Sequence, residues 1–209
     1  MKSRVSFLIV YRLMESSPRF QALSGLSGSL LVAHPSLQDP HFEKTVILVP
    51  MHSDDAGALG VILNRPTGQT LGQKYPEQAF DKLANINIYE GGPVDHSQLI
   101  LTAWKWDANE NSHKMFFGIS SEHALDLIES GEDVTVRAYL GYAGWSAGQL
   151  EAELEAHAWI TKPIVTEVLD QEAGISLWDQ LADDDATAPK AFEDPENGLP
   201  PPPSDLEHN

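Results

Sequence analysis

Apolar residues in this chain come in short runs closed by turn formers, the pattern of a sheet-rich protein. The first run, Ser29-Leu30-Leu31-Val32-Ala33, stops at His34-Pro35. A second covers 44–49 and is rich in β-branched residues; a third covers 59–63 and ends at Asn64-Arg65-Pro66. The segment 52–57 between them holds His, Ser, two Asp and Gly, so these two strands are predicted to form a hairpin. Further strands are expected over 86–89, 98–103, 115–119 and 134–140. In the last, Val134, Val136, Ala138 and Leu140 recur with the period of a strand.

Helical periodicity is scarcer. Residues 121–129 place Ala124, Leu125 and Ile128 on one face, with Gly131 as a stop. Ser146 and Gln149 have capping-box spacing and predict a helix from Ser146 to about Ala156, with Glu151 and Glu155 on one face. Ser176 is expected to cap a last helix carrying Leu177, Trp178 and Leu181. No internal period emerges. Strands outnumber helices and do not alternate with them, which argues for an α+β fold rather than a doubly wound sheet.

Charge changes this picture at the two ends. The 209 residues hold 13 basic and 31 acidic side chains, a net of −18, with 42% hydrophobic residues. Residues 1–24 carry Lys2, Arg4, Arg12 and Arg19 against Glu15, a net of +3. Residues 183–209 carry eight acids against Lys190, a net of −7, and run through Pro200-Pro201-Pro202-Pro203. The organisation expected is a flexible arm over 1–24, a single domain over 25–182 at −14, and an acidic Pro-rich disordered tail over 183–209. Val5 to Val10 is too short an apolar run for a secretory signal and Arg12 interrupts it, so the expectation is cytoplasmic with no membrane association. A domain this acidic is a poor partner for nucleic acid.

Most catalytic signatures are absent. With no cysteine, the chain has no disulfide, thiolate metal site or cysteine nucleophile. It has no phosphate-loop motif, no dinucleotide fingerprint, no HExxH, and Ser27 lacks the second glycine of a nucleophile elbow. His34, His41 and His52 have no zinc-site spacing, so neither metal nor cofactor is expected.

Three segments combine turn glycines, aromatics and a few polar groups: Asp39-Pro40-His41-Phe42; His52 with Asn64-Arg65-Pro66; and residues 141–151, GYAGWSAGQLE. Three readings remain open. The glycines and aromatics build turns and core, with Arg65 paired to Asp39 or Glu151. Alternatively, Asn64, Arg65, Tyr142, Trp145 and Gln149 line a pocket for a small molecule, or for an anion at a helix N-terminus. In the third, Asp39 or Glu151 acts as a base with His52 as proton shuttle.

Taken together, GSLLVAHPSLQDPHF over 28–42, GALGVILNRP over 57–66, GGPV over 91–94 and GYAGWSAGQLE over 141–151 resemble the YqgE/AlgH family of bacterial proteins. The four motifs stand in the family's order and the likeness spans about residues 25–182. It implies strands forming a mixed, bifurcated sheet wrapped into a pseudo-barrel with a few flanking helices. It also implies a family without established biochemistry, labelled a transcriptional regulator. The family's characteristic residues fall on Asp39, Pro40, Phe42, His52, Asn64, Arg65, Pro66, Gly91, Gly92, Pro93, Gly141, Tyr142, Gly144, Trp145, Gly148, Gln149 and Glu151. Lys44 stands where an arginine is usual, which keeps the charge and loses the bidentate fork. Pro50-Met51 replaces a pair that often contains cysteine. The resulting expectation is a non-enzymatic binding or regulatory module with no catalytic residue assigned. Its candidate ligand residues are Asp39, His52, Asn64, Arg65, Gly91, Gly92, Tyr142, Trp145 and Gln149, with a protein partner also open. The alternative is an enzyme with a small-molecule pocket around Asn64-Arg65 and 141–151.

Overall fold

A computed structural model describes residues 25–76, 81–107, 112–164, 168 and 174–186. The expected arm over 1–24, and the part of the expected tail from 187 onward, lie outside the described residues. Within them, nine strands form one mixed sheet that is not closed into a barrel, and four α-helices flank it. The strands are β1 (Ser29–Ala33), β2 (Val46–Ser53), β3 (Gly57–Ile62), β4 (Pro66–Thr70), β5 (Asn87–Glu90), β6 (Val94–Asp107), β7 (Ser112–Ile119), β8 (Val134–Trp145) and β9 (Trp159–Pro163). The helices are α1 (Leu71–Lys74), α2 (Ser121–Glu129), α3 (Gln149–Glu155) and α4 (Ile175–Ala186). None is long and apolar enough to cross a membrane.

The sheet runs β4-β5-β8-β3-β2-β1-β9, and β6 and β7 branch from β8. The branch follows from the length of β8. Residues 138–140 pair in parallel with β5 while β6 runs antiparallel from Val134 to Tyr142, and the far end at Ala143–Trp145 pairs with β3. Its two faces feed different cores. Tyr139, Ala143 and Trp145 join the main cluster with Leu30, Val32, Ile47 and Leu63. Ala138, with Val136 and Leu140, joins a second cluster around Leu71, Leu83, Ile88 and Leu101. The alternation expected from sequence is therefore present, with a buried layer on each side.

β1 matches its expected bounds, because its four buried apolar residues are shielded on both faces and halted by His34-Pro35. The expected hairpin of β2 and β3 forms, with one feature the run 44–49 did not disclose: β2 continues to Ser53 through a bulge. Leu48 pairs with Val61, but Met51 pairs with Leu59, so one extra residue is accommodated around Pro50. Proline lacks the N–H a regular ladder needs, and the bulge absorbs that defect. Side chains alternate faces along a strand, so the one-residue shift decides which face His52 takes.

Three helices differ from expectation. In α2, Ser120 caps the N-terminus by accepting the His123 N–H, and Ala124 and Leu127 are buried while Ile128 is 41% exposed. The buried stripe is thus turned one position from the expected face. α3 starts at Gln149 rather than Ser146, because Gly148 is left-handed at φ +75° and turns residues 146–148 outside the helix. Half of the expected capping box survives: Gln149 Oε1 accepts the Ser146 N–H at 3.1 Å. α4 begins one residue before Ser176 and extends through Ala186, four residues into the acidic segment. It packs Leu177 and Trp178 on β1, where the Trp178 indole donates to the Ala33 carbonyl at 2.7 Å.

Candidate functional site

The motif residues fall into two groups. The first sits at the end of the β2–β3 hairpin. Asn64 is 3% exposed, and its side chain stands in for a missing rung of the sheet. Its Oδ1 accepts the Val46 N–H at 2.8 Å and its Nδ2 donates to the Lys44 carbonyl at 2.8 Å. Arg65 reaches over the neighbouring loop and donates to the carbonyls of His41 at 2.8 Å and Glu43 at 3.3 Å. Its acidic neighbour is Glu90 at 4.0 Å, not Asp39 or Glu151. Asp39 is exposed and shapes the same loop, its Oδ1 accepting the His41 N–H at 2.8 Å. Two motif residues therefore hold backbone that Lys44, at φ +53°, carries through a left-handed turn.

Phe42 connects this loop to an aromatic group. Its ring lies 6.5 Å from Trp145, nearly parallel, and 5.7 Å from Trp159, edge-on. Glu153 organises the group: Oε2 accepts the indole N–H of Trp145 at 2.9 Å and of Trp159 at 2.8 Å, while Oε1 accepts from exposed Gln149 at 2.9 Å. Tyr142 is half-buried against the main core. Gly91, Gly92 and Gly141 are a packing device. A Cβ on Gly91 would lie 2.2 Å from the Gly141 carbonyl oxygen, one on Gly92 2.3 Å from the Tyr142 carbonyl carbon, and one on Gly141 2.6 Å from the Gly92 carbonyl oxygen. Two backbones touch there, so side chains are excluded.

The second group is at the opposite end of β2. Past the bulge, His52 points toward α3, and its Nε2 lies 2.5 Å from Glu151 Oε1. The His52 side chain is only 4% exposed, whereas that of Glu151 is 40% exposed. The ring is fixed from behind. Its Nδ1 faces the Leu26 N–H at 3.4 Å, and Ser27 Oγ both accepts the His52 N–H at 2.8 Å and donates to the His52 carbonyl at 3.2 Å. With Nδ1 accepting, the neutral ring carries its proton on Nε2 and donates it to Glu151. The Glu151 carboxyl is held below the ordinary range, first by its own backbone N–H and then by His52. That N–H belongs to the first turn of α3, so the helix terminus considered for an anion already faces a carboxylate.

Asp54 completes this group. The turn carrying it returns at Gly57, φ +85°, where a Cβ would lie 2.0 Å from the Trp145 carbonyl oxygen. Such close approach lays the turn on the backbone leading into α3. One ligand atom each from His52, Asp54 and Glu151 lie within 4.8 Å of one another. Of the three open readings, the structure brings His52 and Glu151 together, ties Asn64 and Arg65 into backbone, and links Trp145 to Gln149 through Glu153. Glu153, Trp159 and Asp54 were not singled out by sequence. The carboxylates looked like two more charges of an acidic chain, and only tertiary approach gives them partners.

Comparison with known proteins agrees with this architecture. The profile of the AlgH-like family matches residues 30–186. A UPF0301 protein of Azoarcus sp. (strain BH72) is 40% identical over 149 residues, covering 67% of this chain and 78% of that protein. A UPF0301 protein of Xanthomonas oryzae pv. oryzae is 34% identical over 165 residues, covering 75% and 87%. The solution structure of the AlgH protein from Pseudomonas aeruginosa superposes with a TM-score of 0.57 at 30% identity, covering 78% of this chain and 91% of that one. The crystal structure of protein DIP2367 from Corynebacterium diphtheriae shares the fold, with a TM-score of 0.57 at 24% identity over 81% of this chain and 91% of that one.

Proposed function

This chain belongs to the AlgH-like family, and on that premise we propose that it is a non-enzymatic binding and regulatory module of the bacterial cytoplasm. It responds to a small polar ligand and acts on transcription indirectly. The observation that supports this reading is the double attachment of His52. Its Nδ1 accepts the Leu26 N–H and its Nε2 reaches Glu151 on α3. A ligand that competes for Glu151 or for Nε2 disturbs a contact whose far end is the segment joined to the basic residues 1–24. That links binding to a stretch of sequence of different charge. Contact with DNA by the domain itself is disfavoured by its net −14.

A thermal-shift screen of metabolites, anions and cations against the full chain tests the proposal. Saturating ligand at about 100 times Kd adds about 2.7 kcal/mol, which raises the midpoint by about 5–10 °C for a protein of this size. At least one such ligand is expected, with the shift abolished by Glu151→Gln and retained by Arg65→Ala. A screen without any stabilising ligand overturns the reading.

The alternative is an enzyme, and the 2.5 Å His52–Glu151 pair is what favours it, since a carboxylate-oriented imidazole is a general base in many sites. A turnover panel comparing wild type with Asp39→Ala and His52→Ala separates the two. Activity lost in His52→Ala supports catalysis, and equal activities remove both residues from it.

A further inference from the structure

We propose that the ligand of the His52–Glu151 junction is a divalent transition-metal ion, bound by His52 Nε2 with one carboxylate oxygen each from Asp54 and Glu151. This rests on the reading of that junction as a ligand site and names what it takes. The three ligand atoms already lie within 4.8 Å of one another. A tetrahedral ion with bonds of about 2.0–2.2 Å needs them roughly 3.4 Å apart. Asp54 is exposed and Glu151 is 40% exposed, so both carboxylates can turn inward without disturbing the core.

The set differs from a chance gathering of surface acids because its nitrogen ligand is built in. The His52 side chain is 4% exposed, and its backbone is held from both sides by Ser27. The Pro50 bulge sets the face it presents, and the contact of Gly57 with the Trp145 carbonyl fixes where Asp54 returns. One imidazole and two carboxylates, with no thiolate available, suit Zn²⁺, Mn²⁺ or Fe²⁺ better than Mg²⁺ or Ca²⁺, which prefer all-oxygen shells. Three protein ligands on an exposed rim leave a further position to water. The acidic domain adds attraction for any cation.

Occupancy has a consequence inside the protein. Nε2 binds a metal through its lone pair, so the ring changes tautomer: the Nε2 proton leaves to solvent and Nδ1 takes one up from solvent. Nδ1–H then opposes the Leu26 N–H, donor against donor, where an acceptor stood before. Residues 25–28 must adjust, so metal binding is felt at the junction with the basic N-terminal stretch.

The test uses the full chain freed of metal by chelation, titrated with Zn²⁺ calorimetrically and with Co²⁺ by visible absorption, and followed at the Leu26 and Ser27 amides by NMR. Saturable one-to-one binding is expected. Asp54→Asn and Glu151→Gln, both at exposed positions, should each weaken it at least tenfold, and the Leu26 amide should shift with Zn²⁺ but not with Mg²⁺. Binding that is absent, or unchanged in both variants, overturns the proposal. If these metals fail while the thermal-shift screen finds another ligand lost in Glu151→Gln, the metal is wrong and the binding reading stands. If neither experiment finds a ligand, both fall.

Discussion

Trp159 donates its indole N–H to Glu153 at 2.8 Å, and the oxygen that receives it also receives Trp145. One carboxylate on a short helix therefore holds together the end of β8 and the start of β9. Glu153→Leu leaves two indole N–H groups without their acceptor, and a loss of about 2–4 kcal/mol is expected. Glu153→Gln retains an acceptor oxygen and should lose less. Urea unfolding followed by tryptophan fluorescence measures both, and equal losses would show that a neutral acceptor oxygen does not hold the two indoles.

Asn64 is expected to be as sensitive for a different reason. Its amide serves a buried donor and a carbonyl acceptor at once, at Val46 and Lys44. Asn64→Ala should cost about 2–4 kcal/mol in denaturant midpoint analysis. Asn64→Asp satisfies Val46 but sets a second acceptor against the Lys44 carbonyl, so it should not rescue stability. A loss below 1 kcal/mol in Asn64→Ala would mean water replaces the amide.

Gly141 and Gly148 are both left-handed, at φ +70° and +75°, yet they should respond differently to alanine. At Gly148 nothing lies within 4 Å of a new Cβ, so the cost is backbone strain alone, about 1 kcal/mol. At Gly141 the same atom meets the carbonyl oxygens of Gly92 at 2.6 Å and Val94 at 2.7 Å. The β6–β8 junction must part to admit it, and at least about 3 kcal/mol is expected. Thermal unfolding of the two variants side by side is sufficient, and equal shifts would contradict the close approach.

Tyr139 makes stability depend on high pH. The phenol is fully buried, and burial pushes its pKa up to about 12 despite the opposing influence of Arg137. Between pH 10 and 12 the unfolded chain releases a proton that the native state retains. The stability owed to the neutral phenol is therefore complete below pH 10 and falls as pH rises, by about 1.4 kcal/mol per unit and up to about 3 kcal/mol. Tyr139→Phe should flatten that part of the profile relative to wild type in urea midpoints at pH 9, 10 and 11. Absorbance at 295 nm should show one late-titrating tyrosine fewer in the variant.

The sequence was most legible where a local rule acted alone. β1 could be bounded to the residue because its apolar run and His34-Pro35 agree. The sequence pattern ends β8 five residues early, since Gly141 and Gly144 look like turn formers. In the folded chain Gly141 stays within the strand, because the Gly91-Gly92 backbone lies against it. β4 carries no apolar signal because four of its five residues are exposed, and β9 carries little because it is short and ends in a proline. Among candidate site residues, Asn64, Arg65 and the glycines were conspicuous by type, but their hydrogen bonds and close contacts are tertiary. His52 and Glu151 could both be picked out, yet nothing in a separation of 99 residues says that they touch. Asp54, two residues from His52, carried no signal beyond a turn former in a loop.

The long strand β8 also governs the order in which this protein can be made. Pairing of β1, β2 and β3, of β4 with β5, and of β6 with β7 joins segments that are all synthesised before residue 134. These sets do not pair with one another, and each of them pairs with β8. Until β8 emerges the nascent chain holds three separate ladders with open edges, and each edge is a place where a neighbouring nascent chain can add a strand. Addition of β8 therefore joins three sticky fragments into one sheet, and stalling while β8 is still inside the ribosome should increase aggregation more than stalling after it has emerged.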